Sequence, residues 1–306
     1  MEKPRSFFTG ASLDRRKFIL NAAKSAGVFA LTSPLKAHSS PGGKKEWSVQ
    51  EIINLILKEG ELPIQKVTVD TIKSGQANQV VTGIVTTMFP TIAVIEEAAK
   101  RKANFIIAHE PSFYNHRDDT EWVKNNGVVK QKQQLLEKHQ MVIWRFHDYC
   151  HSLTLDAISY GVAKKARWLP YFKTGENILT LPSQSLQQLV QHLKSSLGIA
   201  HVRVIGDPAQ QCKRIALLPG AWGGQRHVAV AEAEKPDVLI VGEVSEWETA
   251  EYIRDARLLG SNIALIVLGH AVSEEPGMEW FVDWLQPKIA DLNVTHLASG
   301  DPFLWL

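Results

Sequence analysis

Cysteine is scarce in this chain of 306 residues, which contains only Cys150 and Cys212. Two cysteines are too few for a disulfide framework, and they lack the paired spacing of a thiolate zinc site. We expect two free or buried thiols, with a single bridge between them as the alternative. Cys150 also stays a weak ligand candidate, because it lies within His147-Asp-Tyr-Cys-His151.

A strong charge of one sign is also missing. The chain has 34 Lys and Arg against 32 Asp and Glu, a formal net charge of +2, and part of the basic excess lies in the first 24 residues. The body therefore offers no electrostatic case for binding nucleic acid. The sequence lacks the phosphate-binding motif Gly-x4-Gly-Lys-Ser/Thr as well, which argues against a GTP-specific role.

No run near the N-terminus is apolar enough to span a bilayer. Instead, Arg15 and Arg16 precede Phe-Ile-Leu and a weakly apolar stretch that ends near Leu31. This pattern is typical of a twin-arginine export signal. We predict a signal at residues 1–37, a Pro/Gly-rich linker at 38–46 and a periplasmic protein without a membrane span after signal removal. A cytosolic amphipathic leader is the alternative.

The sequence does contain four apolar, strand-like runs that each stop at metal-capable side chains. These runs are 104–108 before His109 and Glu110, 142–146 before His147 and Asp148, 238–241 before Glu243, and 263–268 before His270 and Glu274. In open α/β sheets, ligands bind beyond the carboxyl ends of the strands. Imidazole and carboxylate groups without thiolate suit zinc, iron or manganese. The recurrence therefore predicts a metal centre.

Taken singly, each of these motifs has a less specific interpretation. A histidine at a strand end is often held by a backbone hydrogen bond, and a His-x3-Glu pair such as His270 and Glu274 is often a surface pair. Two such motifs in opposite halves of the chain favour a joint centre. Pro276 makes a continuous helix through Glu274 doubtful, so we predict that His270 and Glu274 lie in a loop before a helix that starts at 276 or 277.

Strand-like and helix-like segments alternate along the body of the chain, which predicts an α/β protein. We place an N-terminal domain at 47–170 and a C-terminal domain at 171–306. The local predictions include a helix over 48–60 capped by Ser48, strands over 66–71 and 80–87, and a helix over 156–165. The composition, with 44% apolar and 22% charged residues, fits a globular protein long enough for two domains.

Several segments, in order from about Thr68 to the C-terminus, resemble one known family. They are Val81-Thr-Gly-Ile-Val85, Ala108-His-Glu-Pro-Ser-Phe113, Val204-Ile-Gly-Asp207, Lys213-Arg-Ile-Ala-Leu217, Val241-Gly-Glu243, Gly269-His-Ala-Val-Ser-Glu274 and Asp301-Pro-Phe303. The chain is similar to the Nif-three-like family of dinuclear-metal proteins, whose members are often named GTP cyclohydrolase I type 2 homologues. The resemblance implies two similar α/β domains, two metal ions in the cleft between them and a toroidal homohexamer.

The resemblance also implies a set of metal ligands. The family's His-His-Pro motif reads His109-Glu110-Pro111 here, and its Gly-His-x3-Glu motif matches His270 and Glu274, with Glu274 as the expected bridging carboxylate. Asp156, followed by Gly161, best matches the remaining Asp ligand. His147 or His151 could replace or supplement one of these ligands, with a core or orienting role as the alternative.

Metal-dependent hydrolysis is the chemistry that such a centre favours. Two divalent ions about 3.5 to 4 Å apart lower the pKa of a bridging water and provide hydroxide as the nucleophile. His147 and Glu243 are the predicted proton-transfer residues, and the substrate is an unspecified small molecule. The alternative function is a non-catalytic, oligomeric metal-binding scaffold that stores or delivers metal.

Overall fold

The computed structural model describes residues 45–304. The predicted export signal at 1–37, and all of the predicted linker except its last two residues, lie outside this range. Over the part described, no helix combines the length and apolarity needed to cross a membrane.

The described chain alternates strands and helices, as the sequence predicts. The strands are β1 Ile72–Ser74, β2 Ile84–Thr87, β3 Phe105–Ala108, β4 Val142–Arg145, β5 Ile178–Ser185, β6 Arg203–Ile205, β7 Gln211–Leu218, β8 Val238–Val241, β9 Ala264–Val267 and β10 Val294–His296. The α-helices are α1 Val49–Glu59, α2 Ile92–Lys100, α3 Gly127–Lys138, α4 Asp148–Ser152, α5 Ala157–Lys165, α6 Leu186–Leu197, α7 Gly224–Glu234, α8 Glu251–Leu258 and α9 His270–Leu285.

The strands form two mixed five-stranded sheets. The first has the order β1-β4-β3-β2-β10 and the second the order β5-β7-β8-β9-β6. Strands β10, β2, β3 and β4 are parallel to one another, as are β7, β8 and β9, while β1, β5 and β6 run antiparallel to their neighbours. The central strands β2, β3, β4, β8 and β9 are fully buried, which explains why β3, β8 and β9 read as continuous apolar runs.

The last strand departs from a simple division of the chain into two halves. β10 pairs with β2 in the first sheet, and Met278, Phe281 and Leu285 of α9 pack into the core beneath that sheet. The sequence divides between the two sheets near the predicted boundary at 170, but the segment after β9 returns to the N-terminal sheet. The boundary stays a prediction, and a domain formed by 171–306 alone does not account for β10.

The predicted cap of α1 is confirmed, whereas two other predictions from local signals are wrong. Ser48 caps α1 in a capping box with Glu51, as predicted. The predicted strand over 66–71 is wrong, because Thr68 Oγ1 and the backbone N–H of Val69 donate instead to the carboxylate of Asp148, at 2.8 and 3.1 Å.

The second failure is the predicted loop at His270–Glu274. Both residues lie in α9, which continues through Pro276. Proline removes one backbone hydrogen bond and disfavours helical geometry in the residue before it. Burial of Met278, Phe281 and Leu285 against the first sheet outweighs that preference. As a result, His270 and Glu274 stand four residues apart on one face of a helix.

Helices α5 and α9 cross at two glycines. A Cβ added at Gly161 would lie 2.4 Å from the carbonyl oxygen of Pro276 and 2.5 Å from the Cα of Gly277. Both contacts are to backbone, so a side chain at residue 161 would have to push the helices apart. The close crossing fixes α9, and with it His270 and Glu274, against the first half of the chain.

We expect Gly161→Ala to destabilise the protein by about 1–3 kcal/mol through overpacking, although alanine ordinarily stabilises a helix by about 1 kcal/mol relative to glycine. Gly127→Ala is the matched control, since no described atom within 4 Å would meet its Cβ, and it should be neutral or slightly stabilising. Urea unfolding of both variants tests this. Equal free energies of unfolding would contradict the account of the crossing.

Candidate metal centre

The carboxyl ends of the parallel strands bring the predicted site residues together. His109 and Glu110 follow β3 and His147 follows β4, while Glu243 follows β8 and His270 opens α9 after β9. Of these residues, all but the deeply buried His109 line a cleft of about 1750 Å³. Residues from both sheets thus face the same space, as expected where ligands bind beyond strand ends.

His109 is fully buried, and its two ring nitrogens differ. Nδ1 donates to the carbonyl oxygen of Phe146 at 3.1 Å. Nε2 has no hydrogen-bond partner among residues 45–304, and the nearest carboxylate oxygen, Oε1 of Glu274, is 3.8 Å away. Burial holds the pKa of His109 well below its usual value. A neutral ring that donates through Nδ1 keeps a lone pair on Nε2.

Glu110 is held between Arg145 and two histidines. Oε2 lies 3.3 Å from Nη2 of the buried Arg145, and Oε1 lies 3.6 Å from Nε2 of both His147 and His270. Burial alone would raise the pKa of Glu110, but its contacts with His270, His147 and Arg145 outweigh burial and lower it. Arg145 also donates to the backbone oxygens of His109 and His116. It therefore fixes both the charge and the direction of Glu110.

Three carboxylates converge on the ring of His270. Nδ1 donates to Glu243 at 3.1 Å, and Nε2 lies 3.0 Å from Oε2 of Glu274 and 3.6 Å from Glu110. Burial would lower the pKa of His270, but these carboxylates raise it to about 12. Such an excess of negative charge favours a cation, here a proton on the imidazole. A divalent ion can replace that proton, since metal binding to imidazole releases protons.

Glu274 is buried and packs closely against Gly220. Burial raises the pKa of its carboxyl group. A Cβ at Gly220, whose φ is +79°, would lie 2.0 Å from Glu274 Oε1. The backbone N–H of Gly220 donates to Ser273 Oγ at 2.9 Å. The loop after β7 is thus bound to the first turns of α9, next to the carboxylate.

His147 and His151 are oriented by neighbouring carboxylates. His147 Nδ1 donates to Asp148 at 3.0 Å, and His151 Nδ1 donates to Asp156 Oδ2 at 3.0 Å. The other oxygen of Asp156 caps α5 by accepting from the N–H groups of Ile158 and Ser159. Both rings contact His109, with centroids at 4.8 and 5.0 Å.

The side chains present fit a metal centre. Within the described residues, one potential ligand atom from each of His109, His147 and His151 lies within 4.8 Å of the others, and the same holds for His109, Glu110 and Glu274. Nε2 of His109 is buried without a hydrogen-bond partner in residues 45–304, whereas Nε2 of His270 faces Glu274 at 3.0 Å. Buried polar atoms are normally satisfied, so the unpaired nitrogen of His109 points to an ion. The donors are nitrogen and oxygen, which suits divalent zinc, iron or manganese.

The predicted site residues therefore occupy different environments. His109, Glu110, His270 and Glu274 lie together, and His147 and Glu243 contact them directly. Asp156 caps α5 and accepts a hydrogen bond from His151, and it belongs to neither candidate ligand group of the described residues. Both cysteines are free and buried, as predicted, and Cys150 belongs to the core under the first sheet.

Sequence reasoning missed Asp70 and Arg145. Asp70 is buried and accepts three backbone hydrogen bonds, from His147 at 2.8 Å, Asp148 at 3.1 Å and Tyr149 at 2.8 Å. It therefore holds the turn that carries His147. Burial raises the pKa of Asp70 to about 6. The one sequence signal for Asp70 is the Val-Asp-Thr segment before β1. This signal is weak, because a lone Asp beside a short strand is common at turns.

We expect Asp70→Asn to cost about 1–3 kcal/mol, because the new amide would face the buried N–H of Tyr149 with no acceptor. The displaced turn should also weaken metal binding through His147. Thermal unfolding and metal titration of the variant measure both effects. Asp291→Asn, an exposed site after α9, is the control, and indistinguishable behaviour of the two variants would refute the assigned role.

Comparison with known proteins agrees with this fold. The Duf34/NIF3 (NGG1p interacting factor 3) family matches residues 67–302. A GTP cyclohydrolase 1 type 2 homolog of Neisseria meningitidis serogroup B is 27% identical over 230 residues, covering 72% of this chain and 84% of the relative. The homolog of Salmonella typhimurium is 24% identical over 234 residues, covering 74% and 88%. For the homolog of Staphylococcus aureus, the 28% identical match covers 40% of this chain and 32% of the relative.

Solved structures show the same fold at low sequence identity. A Staphylococcus aureus protein superposes with a TM-score of 0.65 at 18% identity, covering 85% of this chain and 99% of that chain. A Bacillus cereus protein related to NIF3 gives a TM-score of 0.64 at 15% identity, covering 86% and 100%. Since the family match spans most of the described residues, the chain belongs to the Duf34/NIF3 family.

Proposed function

We propose that this protein is a dinuclear metal-dependent hydrolase whose two divalent ions lie in the cleft between the sheets. The observation that supports it most is the convergence of imidazoles and carboxylates from both halves on one space, with the buried Nε2 of His109 left unpaired. His109, Glu110, His270 and Glu274 would be among the residues that hold the ions. When bound, a pair of divalent ions activates water and polarises the bond to be hydrolysed.

The chain's own groups suit substrate binding and proton transfer. Glu243 accepts from His270 Nδ1 with one oxygen, and its side chain is about half exposed in the cleft. Its second oxygen is therefore available to take a proton from a reacting group, once the substrate brings that group within hydrogen-bond distance. The same contact fixes the ring of His270, so Glu243 would both orient this metal ligand and transfer protons.

The cleft is large enough for a small-molecule substrate and is lined by both polar and apolar side chains, including Phe89, Trp222 and Phe303. The name shared by the relatives refers to GTP cyclohydrolase. This chain has no phosphate-cradling sequence motif. Small hydrolysable esters, amides and phosphoesters are the appropriate first substrates.

The proposed hydrolase is tested with a panel of such substrates, assayed with the metal-loaded protein, after chelation and after metal is restored. We expect turnover that chelation abolishes and metal restores. Glu243→Gln should lower the rate constant, by roughly 100-fold for a proton-transfer residue, without changing metal content. Glu246→Gln is the control, because Glu246 is exposed and pairs with Arg203. Tight metal binding without turnover on any substrate would favour storage or delivery of metal.

Export and assembly are further parts of the proposal. The Arg15-Arg16 pattern supports translocation of the folded, metal-loaded protein to the periplasm, and the family resemblance supports a homohexamer. Cell fractionation with an Arg15→Lys/Arg16→Lys variant tests the first, since the variant should stay in the cytoplasm. Light scattering of the purified protein tests the second.

A further inference from the structure

His109, His147 and His151 each have one ring nitrogen that is already hydrogen-bonded. Nδ1 of His109 faces a backbone carbonyl, and Nδ1 of His147 and of His151 faces a carboxylate, all at 3.0–3.1 Å. Carbonyl and carboxylate oxygens only accept, so Nδ1 carries the proton in all three rings. Each ring can then bind a metal only through Nε2, in the arrangement by which proteins orient histidine ligands.

These three rings form a compact triangle. The ring centroids are 4.8 Å apart for His109 and His147, 5.0 Å for His109 and His151, and 5.1 Å for His147 and His151. One nitrogen from each lies within 4.8 Å of the others. Three imidazoles around one ion, with a fourth position open, are a donor set known for zinc.

The second candidate group also contains His109, so the two groups compete for the same ring. The Nε2 lone pair of His109 can bind one ion only. The group around Glu110 and Glu274 has a substitute in His270. Nε2 of His147 and of His270 both lie 3.6 Å from Glu110 Oε1, but His270 Nε2 also lies 3.0 Å from Glu274 Oε2. The histidine triangle has no comparable substitute among the described residues, since Asp148 and Asp156 are already bonded to its rings.

We propose that the two ions occupy chemically different positions, one held by His109, His147 and His151 and the other by Glu110, His270 and Glu274. This inference rests on the proposed two-metal function and deepens it. The three-imidazole position suits zinc, copper, nickel or iron, whereas the position with two carboxylates better suits manganese. Asp156 then orients His151 and does not itself bind metal.

The partition predicts which double variants lose one ion and which lose both. Purified protein is equilibrated with Zn²⁺ alone, and bound metal per chain is counted. His147→Ala/His151→Ala should keep one ion, because both residues serve the same position. His151→Ala/His270→Ala should keep none. His116→Ala is the matched control, because its ring is 5.5 Å from His147 in the same cleft but belongs to neither group, and it should keep both ions.

Two further measurements sharpen the result. Wild-type protein given Zn²⁺ and Mn²⁺ together should take one of each, and His151→Ala should lose the zinc. Asp156→Asn should weaken zinc binding about 10- to 100-fold without abolishing it, as expected for a residue that orients a ligand. Circular dichroism confirms that each variant is folded, and His151→Asn replaces any alanine variant that is not.

The outcomes separate this inference from the proposed function. Loss of both ions in His147→Ala/His151→Ala, or retention of both, overturns the partition while leaving a metal centre in place. Wild-type protein that binds no divalent ion overturns the proposed function and the partition with it. One ion left in His147→Ala/His151→Ala and none in His151→Ala/His270→Ala supports both.

Discussion

Replacing Glu274 by alanine should remove the ion held with Glu110 and His270 and reduce metal-dependent hydrolysis by more than about 100-fold. That factor is the upper range for losing a residue that merely orients a ligand, and Glu274 is proposed as a ligand itself. Its two oxygens lie 3.8 Å from His109 Nε2 and 3.0 Å from His270 Nε2. Glu274 therefore approaches residues of both proposed positions.

Glu275→Ala is the control for this prediction, because Glu275 is the next residue of the same helix and faces away from the centre. Its carboxylate contacts His296 and Ser299. We expect this variant to keep both ions. Metal content and chelator-sensitive hydrolysis are measured side by side on the two variants. If Glu274→Ala retains wild-type metal and activity, the site assignment is wrong.

Gly220→Ala should damage the centre from a residue that never contacts metal. Two costs add at this position. A φ of +79° costs an alanine about 1–2 kcal/mol, and the new Cβ would lie 2.0 Å from Glu274 Oε1. Overpacking of this kind costs about 1–3 kcal/mol more. We expect lower stability together with weaker metal binding, since Glu274 must turn away to make room.

Gly223→Ala separates these two costs. Gly223 has nearly the same φ, +81°, but no described atom lies within 4 Å of the position its Cβ would take. This variant should lose only the stability that the unfavourable backbone conformation costs, and it should keep its metal affinity. Urea unfolding and zinc titration of both variants give the comparison. Equal metal affinities in the two variants would mean that the contact between Gly220 and Glu274 does not constrain the site.

The parts of the fold that could be predicted are those in which local signals and tertiary packing agree. Buried strands such as Phe105–Ala108 and Val238–Val241 read as apolar runs because both faces of the sheet are covered. Ser48 caps α1 through its own side chain, and that preference needs no tertiary context. The residues after the parallel strands could be placed together because such strands end at one edge.

The failures arise where distant contacts override a local rule. Pro276 indicates a helix start in isolation, yet α9 runs through it because its far end is packed under the first sheet. The strand predicted over 66–71 gives way to hydrogen bonds with Asp148, a residue nearly 80 positions away. Arg145 reads as an ordinary strand end in sequence, and only the fold shows that it lies beneath Glu110.

The most direct test of the two-metal centre is a crystal structure of the metal-loaded protein with anomalous scattering recorded at the edge of the bound metal. The account predicts two anomalous peaks in the cleft, one beside His109, His147 and His151 and one beside Glu110, His270 and Glu274. Peaks elsewhere in the chain, or none within the cleft of a protein shown to be loaded, would contradict it.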